Sequence, residues 1–233
     1  MKGKNIVNGW FFLDKPLGIT SNLALQKIRK ILDNCKAGFV GTLDPLASGY
    51  LPIALGTATK IISYIEKADK KYLFTIEWGV KTDTGDLEGK IIERSNVYPN
   101  YNEIKRVLSR HVGEINQAPP KFSSVKINGI RAYKLARKKI QFFTNFKKIF
   151  IRQIKLLYTL SDQRACFCVE CSSGTYVRTL AESIAASLGT VGTVTELRRV
   201  GFGEYNKKLI SLDYLLRLGH SGDLIKLIHP LEA

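Results

Sequence analysis

A clean alternation of apolar and polar positions runs from Lys71 to Gly79 and predicts a strand with Tyr72, Phe74, Ile76 and Trp78 on one face. An earlier apolar run, Gly9 to Leu13, predicts a first strand that passes into the Pro/Gly loop Leu13-Asp14-Lys15-Pro16-Leu17-Gly18-Ile19-Thr20-Ser21. Thr20 or Ser21 is placed to cap a helix running to about Leu32, with Leu25, Ile28 and Leu32 on one face. Thr57 is placed to cap a short helix carrying Ile61, Ile62 and Ile65. Tyr101 to His111 has helical spacing, with Ile104, Val107 and Leu108 inward. Ser123–Ile127 and Ile130 flank Asn128-Gly129, a hairpin signal, and Arg131 to Lys139 then predicts a basic helix. Strands follow at about Ile149–Leu160 and Ala165–Cys171, then a helix with Val177, Leu180, Ile184 and Leu188 as its apolar stripe. Arg198 and Arg199 end the next element, and Ser211 caps a last helical region to about Ile228.

Composition narrows the class. The chain has 233 residues, room for one large domain or two small ones, and 45% hydrophobic content is enough for a packed core. No apolar run is long enough for a membrane span, and the short patch Trp10 to Leu13 does not make a signal segment, so the expectation is a cytoplasmic protein. The formal charge of +16 calls for a polyanionic partner, most simply a nucleic acid; a membrane surface is the weaker alternative. That charge is concentrated. From Gln117 to Ser161 there is no Asp or Glu, but eleven bases: Lys121, Lys126, Arg131, Lys134, Arg137, Lys138, Lys139, Lys147, Lys148, Arg152 and Lys155. Phe122, Tyr133, Phe142, Phe143 and Phe146 are interleaved with them, a mixture suited to phosphates and unstacked bases.

Candidate chemistry centres on Gly41-Thr42-Leu43-Asp44-Pro45-Leu46-Ala47-Ser48-Gly49. Pro45 biases Asp44 toward extended backbone, the glycines free both ends to bend, and the apolar run Leu51–Leu55 welds the loop to a core. Asp-Pro is also an ordinary turn start. Cys166, Cys168 and Cys171 lack paired metal knuckles and read as small core residues of a strand, with Cys166 and Cys168 on one face. Asp83, Asp86 and Glu88 lack the spacing of a calcium loop and read as a polar hairpin. Arg178 stands near a helix start, where the dipole disfavours a cation unless a carboxylate is near.

Several separated stretches together resemble one family. They are Leu13-Asp14-Lys15-Pro16 with Gly18, Thr20 and Ser21; the Gly41–Gly49 loop; Lys71-Tyr72 through Gly79; and Thr82-Asp83-Thr84. Ala118-Pro119-Pro120, Phe122-Ser123, Val125-Lys126, Gly129, Arg131-Ala132-Tyr133 and Ala136-Arg137 follow, then Gly174-Thr175-Tyr176-Val177-Arg178 and Leu197-Arg198-Arg199. In this order they resemble the TruB family, bacterial synthases of pseudouridine 55 in the tRNA T loop.

The resemblance implies an α+β pseudouridine-synthase fold: a central, mostly antiparallel mixed sheet flanked by helices, with an inserted basic RNA-binding arm. It implies a catalytic domain over residues 1–210, with the insertion at about 117–150; many relatives continue into a further C-terminal RNA-binding domain, where this chain is expected to depart from them with only a short helical tail at 211–233. It implies Asp44 as nucleophile, Arg178 as its partner and Tyr72 as the ring packed on the target base. Tyr176 and Leu197 match pocket walls. Lys15, Phe39, Lys126, Arg131, Tyr133 and Arg137 complete the expected substrate contacts. The isomerisation requires neither cofactor nor metal, and the expected partner is the T arm of tRNA, met by a monomer. Phe39 departs from the family pattern, which often has His there; Phe can stack but cannot hydrogen-bond or move a proton. The alternatives are a tRNA-folding chaperone with little or no catalysis, and a synthase acting on another RNA site.

Overall fold

Almost every residue of the first strand, β1 (Gly9–Lys15), is buried, so it lies inside a sheet rather than at its edge. Residues 7–205, 207–219 and 226–230 are described by the structure, a computed structural model. They fall into two compact units, residues 1–70 with 198–233, and residues 71–197.

In the first unit, Thr20 caps α1 (Ser21–Ile31), its side chain accepting the Leu23 N–H at 3.0 Å. Ala24, Leu25 and Ile28 bury the inner face of that helix. The chain returns through β2 (Ala37–Phe39) and β3 (Ala47–Leu55). β3 runs antiparallel to both β2 and β1, in register from Gly9 opposite Leu55 to Lys15 opposite Gly49 on the β1 side. A 3₁₀ turn, Gly56–Ile61, then leads into the single turn α2 (Ile62–Ile65). Thr57 caps neither, contrary to expectation; its N–H and hydroxyl both donate to Asn8 Oδ1, at 2.8 and 3.1 Å.

β4 (Lys70–Trp78) leads into the second unit, with Tyr72, Phe74, Ile76 and Trp78 all buried as the alternation predicts. The hairpin β5 (Val80–Thr82) and β6 (Ile91–Arg94) follows. Next come α3 (Tyr101–Leu108), held by an Asn100/Glu103 capping box, and β7 (Gly113–Gln117). A small hairpin, β8 (Lys126–Ile127) and β9 (Ile130–Arg131), turns at Asn128 and Gly129, both at positive φ, and runs into α4 (Ala132–Arg137). This helix is shorter than the expected Arg131–Lys139, because Lys139 takes a positive φ. The long β10 (Lys147–Ser161) and β11 (Arg164–Cys171) pair antiparallel, and the strand order of the unit is β4-β11-β10-β7. Phe167 stacks on Phe74 at 5.2 Å and meets Trp78 edge-on at 6.1 Å. α5 (Val177–Ser187) buries Val177, Leu180 and Ile184, and α3 packs against both α5 and β10. Cys166 and Cys171 are buried as expected, while Cys168 is half-exposed.

β12 (Gly192–Phe202) carries the chain from the second unit back to the first, passing Leu197 and Arg198. Arg198 and Arg199 are therefore interior to a strand, not its end. β13 (Ile210–Ser211) pairs parallel with β1, which makes the pattern mixed, and Ser211 caps α6 (Leu212–Leu218), packed on α1 and β1. The expected continuation of this helical region toward Ile228 crosses positions outside the described residues. No described helix is long and apolar enough to cross a membrane.

Candidate active site

The Asp44 loop belongs to the first unit and is built from its backbone outward. Gly41 and Gly49 both have positive φ, 68° and 98°, which an L side chain would strain. Ser21 Oγ accepts the Leu43 N–H at 2.9 Å and donates to the Leu43 carbonyl at 3.0 Å, so a buried hydroxyl holds the residue before Asp44 on both sides. Behind Asp44, the Pro45 carbonyl accepts from Gly18 N at 2.9 Å, and the Ala47 N–H returns to the Asp44 carbonyl at 3.0 Å.

Lys15 stands out from the expected substrate contacts. Its side chain is 0% exposed, and Nζ donates to the carbonyls of Pro16, Ile19 and Pro45 at 2.9, 2.7 and 3.4 Å. It therefore binds the two Pro-containing loops to each other and offers nothing to a ligand at the surface. Burial lowers its pKa to about 8; the Asp44 charge opposes that fall and the Arg199 charge adds to it. Arg198 braces the other limb of the loop. Its guanidinium takes both oxygens of Asp14 at 2.9 Å and reaches Ser48 Oγ at 3.4 Å. Phe39 sits half-buried in β2, opposite Ile53 of β3.

The second unit holds Arg178 and Tyr72. Arg178 lies in the first turn of α5 and is 4% exposed. It donates to the Thr84 carbonyl at 2.7 Å and the Phe122 carbonyl at 3.0 Å, and Nε stands 3.7 Å from Asp86 Oδ2. Asp86 is the carboxylate a cation at a helix N-terminus calls for. Its own Oδ1 accepts from Thr84 Oγ1 at 2.6 Å and from Glu88 N at 3.0 Å, so it is a fixed counter-ion. Glu182, one turn along α5, feels the same guanidinium, and burial pushes its carboxyl above the usual range. Tyr72 is buried on β4 and Leu197 half-buried on β12.

The backbone of Tyr176, the N-cap of α5, is gripped by Gln117. The Gln117 amide accepts Tyr176 N–H at 2.7 Å and donates to its carbonyl at 3.1 Å. Gln117 and Phe122 flank the root of the basic segment, so that root is tied to the helix carrying Arg178. Beyond it Lys126, Arg131 and Arg137 are exposed, Tyr133 is half-buried with Arg137 over its ring at 5.6 Å, and Phe143 and Phe146 stand 95% and 72% exposed.

The sequence reading missed Asp86 and Gln117. Asp86 sits among Thr, Gly and acidic residues that spell a turn, and nothing local marks the distant arginine it serves. Gln117 opens the acid-free window, which is a signal for the segment but not for that residue.

Two family models match the chain: TruB family pseudouridylate synthase (N terminal domain) over residues 29–177, and tRNA pseudouridylate synthase B C-terminal domain over 178–233. The tRNA pseudouridine synthase B of Ehrlichia ruminantium is 41% identical over 225 residues, covering 96% of this chain and 76% of that one. The enzyme of the same name from Rhodospirillum rubrum is 42% identical over 228 residues, covering 97% and 74%. Among solved structures, a chain of a Cbf5-Nop10-Gar1 complex superposes with a TM-score of 0.72 at 30% identity, and one of an H/ACA RNP bound to a substrate RNA containing 2′-deoxyuridine with 0.70 at 27%. This chain is covered to 97% in both and spans 60% of each of those chains. The likeness extends through both units, and with it the expected α+β pseudouridine-synthase fold is established. By sequence and by fold, the chain belongs to the TruB family of pseudouridylate synthases, a family of isomerases.

Proposed function

We propose that this protein converts uridine 55 of the tRNA T loop to pseudouridine, with Asp44 as the nucleophile. The observation that carries the reading is the Asp44 loop of a TruB-family chain, with its backbone held by a buried hydroxyl and a buried ammonium. A reactive group gains most from a scaffold that cannot yield. In the reaction the bond from ribose C1′ to uracil N1 breaks and a bond to C5 forms; N1 gains a proton and C5 loses one. The carboxylate captures the detached intermediate, and Arg178 supplies the countercharge that keeps it ionised. Tyr72 packs on the uracil ring, and Tyr176 and Leu197 wall the pocket. The uridine is flipped from its stack at a cost of a few kcal/mol. Lys126, Arg131, Tyr133 and Arg137 offset that cost by gripping the T arm. The same reading has the protein act as a cytoplasmic monomer. Phe39, where the family often has His, favours a second reading, a tRNA-folding chaperone with little catalysis.

The deciding experiment maps pseudouridine in T-arm transcripts and in other RNAs after incubation with the protein. Product at uridine 55, abolished by Asp44→Asn with tRNA affinity retained, is the expected result. Near-wild-type turnover by that variant removes Asp44 from the chemistry, and tRNA refolding without product supports the chaperone.

A further inference from the structure

The Asp44 loop begins where β2 and β3 stop pairing with each other. The last hydrogen bond between them there joins Val40 N to the Pro52 carbonyl at 3.0 Å. The β3 limb stays in the sheet, paired with β1 along its length to Tyr50 opposite Asp14 and Gly49 opposite Lys15 and with β12 as its other neighbour, while the other limb leaves the sheet. Beyond Val40 no β2–β3 rung joins the two limbs, which leaves the excursion an open mouth.

One side chain closes it. Arg199 reaches across from β12, 1% exposed, and its guanidinium bonds both limbs. Nε donates to the Tyr50 carbonyl at 2.6 Å; Nη2 donates to the Gly41 carbonyl at 3.0 Å and the Val40 carbonyl at 3.3 Å. The rest of the residue occupies the space that the two loop glycines leave open. A Cβ on Gly41 would lie 3.0 Å from Arg199 Nη1, and one on Gly49 would lie 2.2 Å from the Arg199 carbonyl oxygen. The face of the guanidinium rests 5.3 Å from the centre of the Phe202 ring. Among the described residues no carboxylate pairs with it. A buried cation held by carbonyls and a ring is an expensive way to fill a core, since a hydrocarbon would need no desolvation. The fork does what no hydrocarbon can: it fixes two separate backbone segments at once.

We infer that Arg199 is a positioning residue for Asp44, a staple across the mouth of the nucleophile loop that sets where the carboxylate stands. The inference rests on the proposed role of Asp44. Its mark is a loss in the chemical step with binding spared, because the RNA grip lies on other residues. A displacement of about 1 Å at a reacting group can cost on the order of 10²-fold in rate.

The test is single-turnover pseudouridine formation and equilibrium tRNA binding for Arg199→Lys and Arg199→Ala. Lysine keeps the charge but cannot reach both limbs. We expect the rate of Arg199→Lys to fall by roughly 10- to 100-fold while affinity stays within a factor of about three. Free guanidinium at low, non-denaturing concentration should restore part of the rate to Arg199→Ala, which repair of a merely looser core would not do. A folded variant with an unchanged rate overturns the inference, as does a loss of rate matched by an equal loss of affinity. If alanine fails to fold, the lysine variant alone decides. Failure of the underlying reading is distinct: Asp44→Asn would stay active whatever Arg199 does.

Discussion

At the scale of the residue, this protein uses buried cations to shape backbone. Lys15 and Arg199 have no carboxylate hydrogen-bonded to them among the described residues; carbonyl oxygens take that place. For Lys15 the consequence is a titration near pH 8 rather than its ordinary 10.5. The unfolded chain therefore binds the extra proton between those two values, and unfolding free energy gains a positive slope with pH across that window. Below pH 8 both states are protonated, the slope vanishes, and the cost of burying the charge is present in full. The expected outcome is that wild type gains stability relative to Lys15→Met as pH rises from 8 to 10.5, measured by urea unfolding. A flat difference across the window contradicts it. The identity of Lys15 was plain in its Leu-Asp-Lys-Pro context, but its burial was not. A lysine beside a proline loop has the same local pattern whether it faces solvent or three carbonyls.

At the scale of the element, α5 depends on groups outside itself. It has no side-chain N-cap of its own and places a cation in its first turn. Gln117 and Asp86 correct these two defects from β7 and from the β5–β6 hairpin. Gln117→Ala removes the partner of the Tyr176 N–H in a part-buried setting, where an unpaired group costs about 1–3 kcal/mol, while the Tyr176 carbonyl keeps its bond from the Leu180 N–H. The variant should lose stability of that order and show faster amide exchange at the start of α5, from Tyr176 to Leu180. Unchanged exchange there would show that the glutamine is dispensable. The apolar stripe of α5 was legible, as was the alternation of β4, because periodicity is a local property of the chain. Its N-terminal support was not, because the supporting side chains come from remote strands.

At the scale of the whole molecule, the charge of +16 is distributed with purpose. The acid-free segment runs from the end of β7 through β10, and its bases stay solvent-exposed together with Phe143 and Phe146. Exposed rings beside exposed cations suit an RNA surface better than a core. Replacing Lys126, Arg131, Lys134 and Arg137 by Gln should lower the magnitude of the log–log salt slope of tRNA binding by roughly 3, at about 0.7–0.9 per phosphate contact. A slope equal to wild type would place the RNA elsewhere. The exposure of these bases was legible in the sequence, since charge segregation along a chain survives folding when the segment forms its own short hairpin and helix.

Taken by itself, the sequence determined several of the secondary elements, among them β1, β4, β10, β11 and α5, together with the family, the basic segment and the aspartate loop, all features written in local pattern or in motifs kept in order. The tertiary structure decided which groups stand behind that loop and behind Arg178. It moved Lys15 from the expected RNA contacts into a buried clamp, and it made Asp86, Gln117 and Arg199 matter. These assignments depend on side chains meeting backbone from distant parts of the chain. Hydrogen bonding to a carbonyl leaves no imprint on the residue that carries the carbonyl, so no one-dimensional pattern can reveal it.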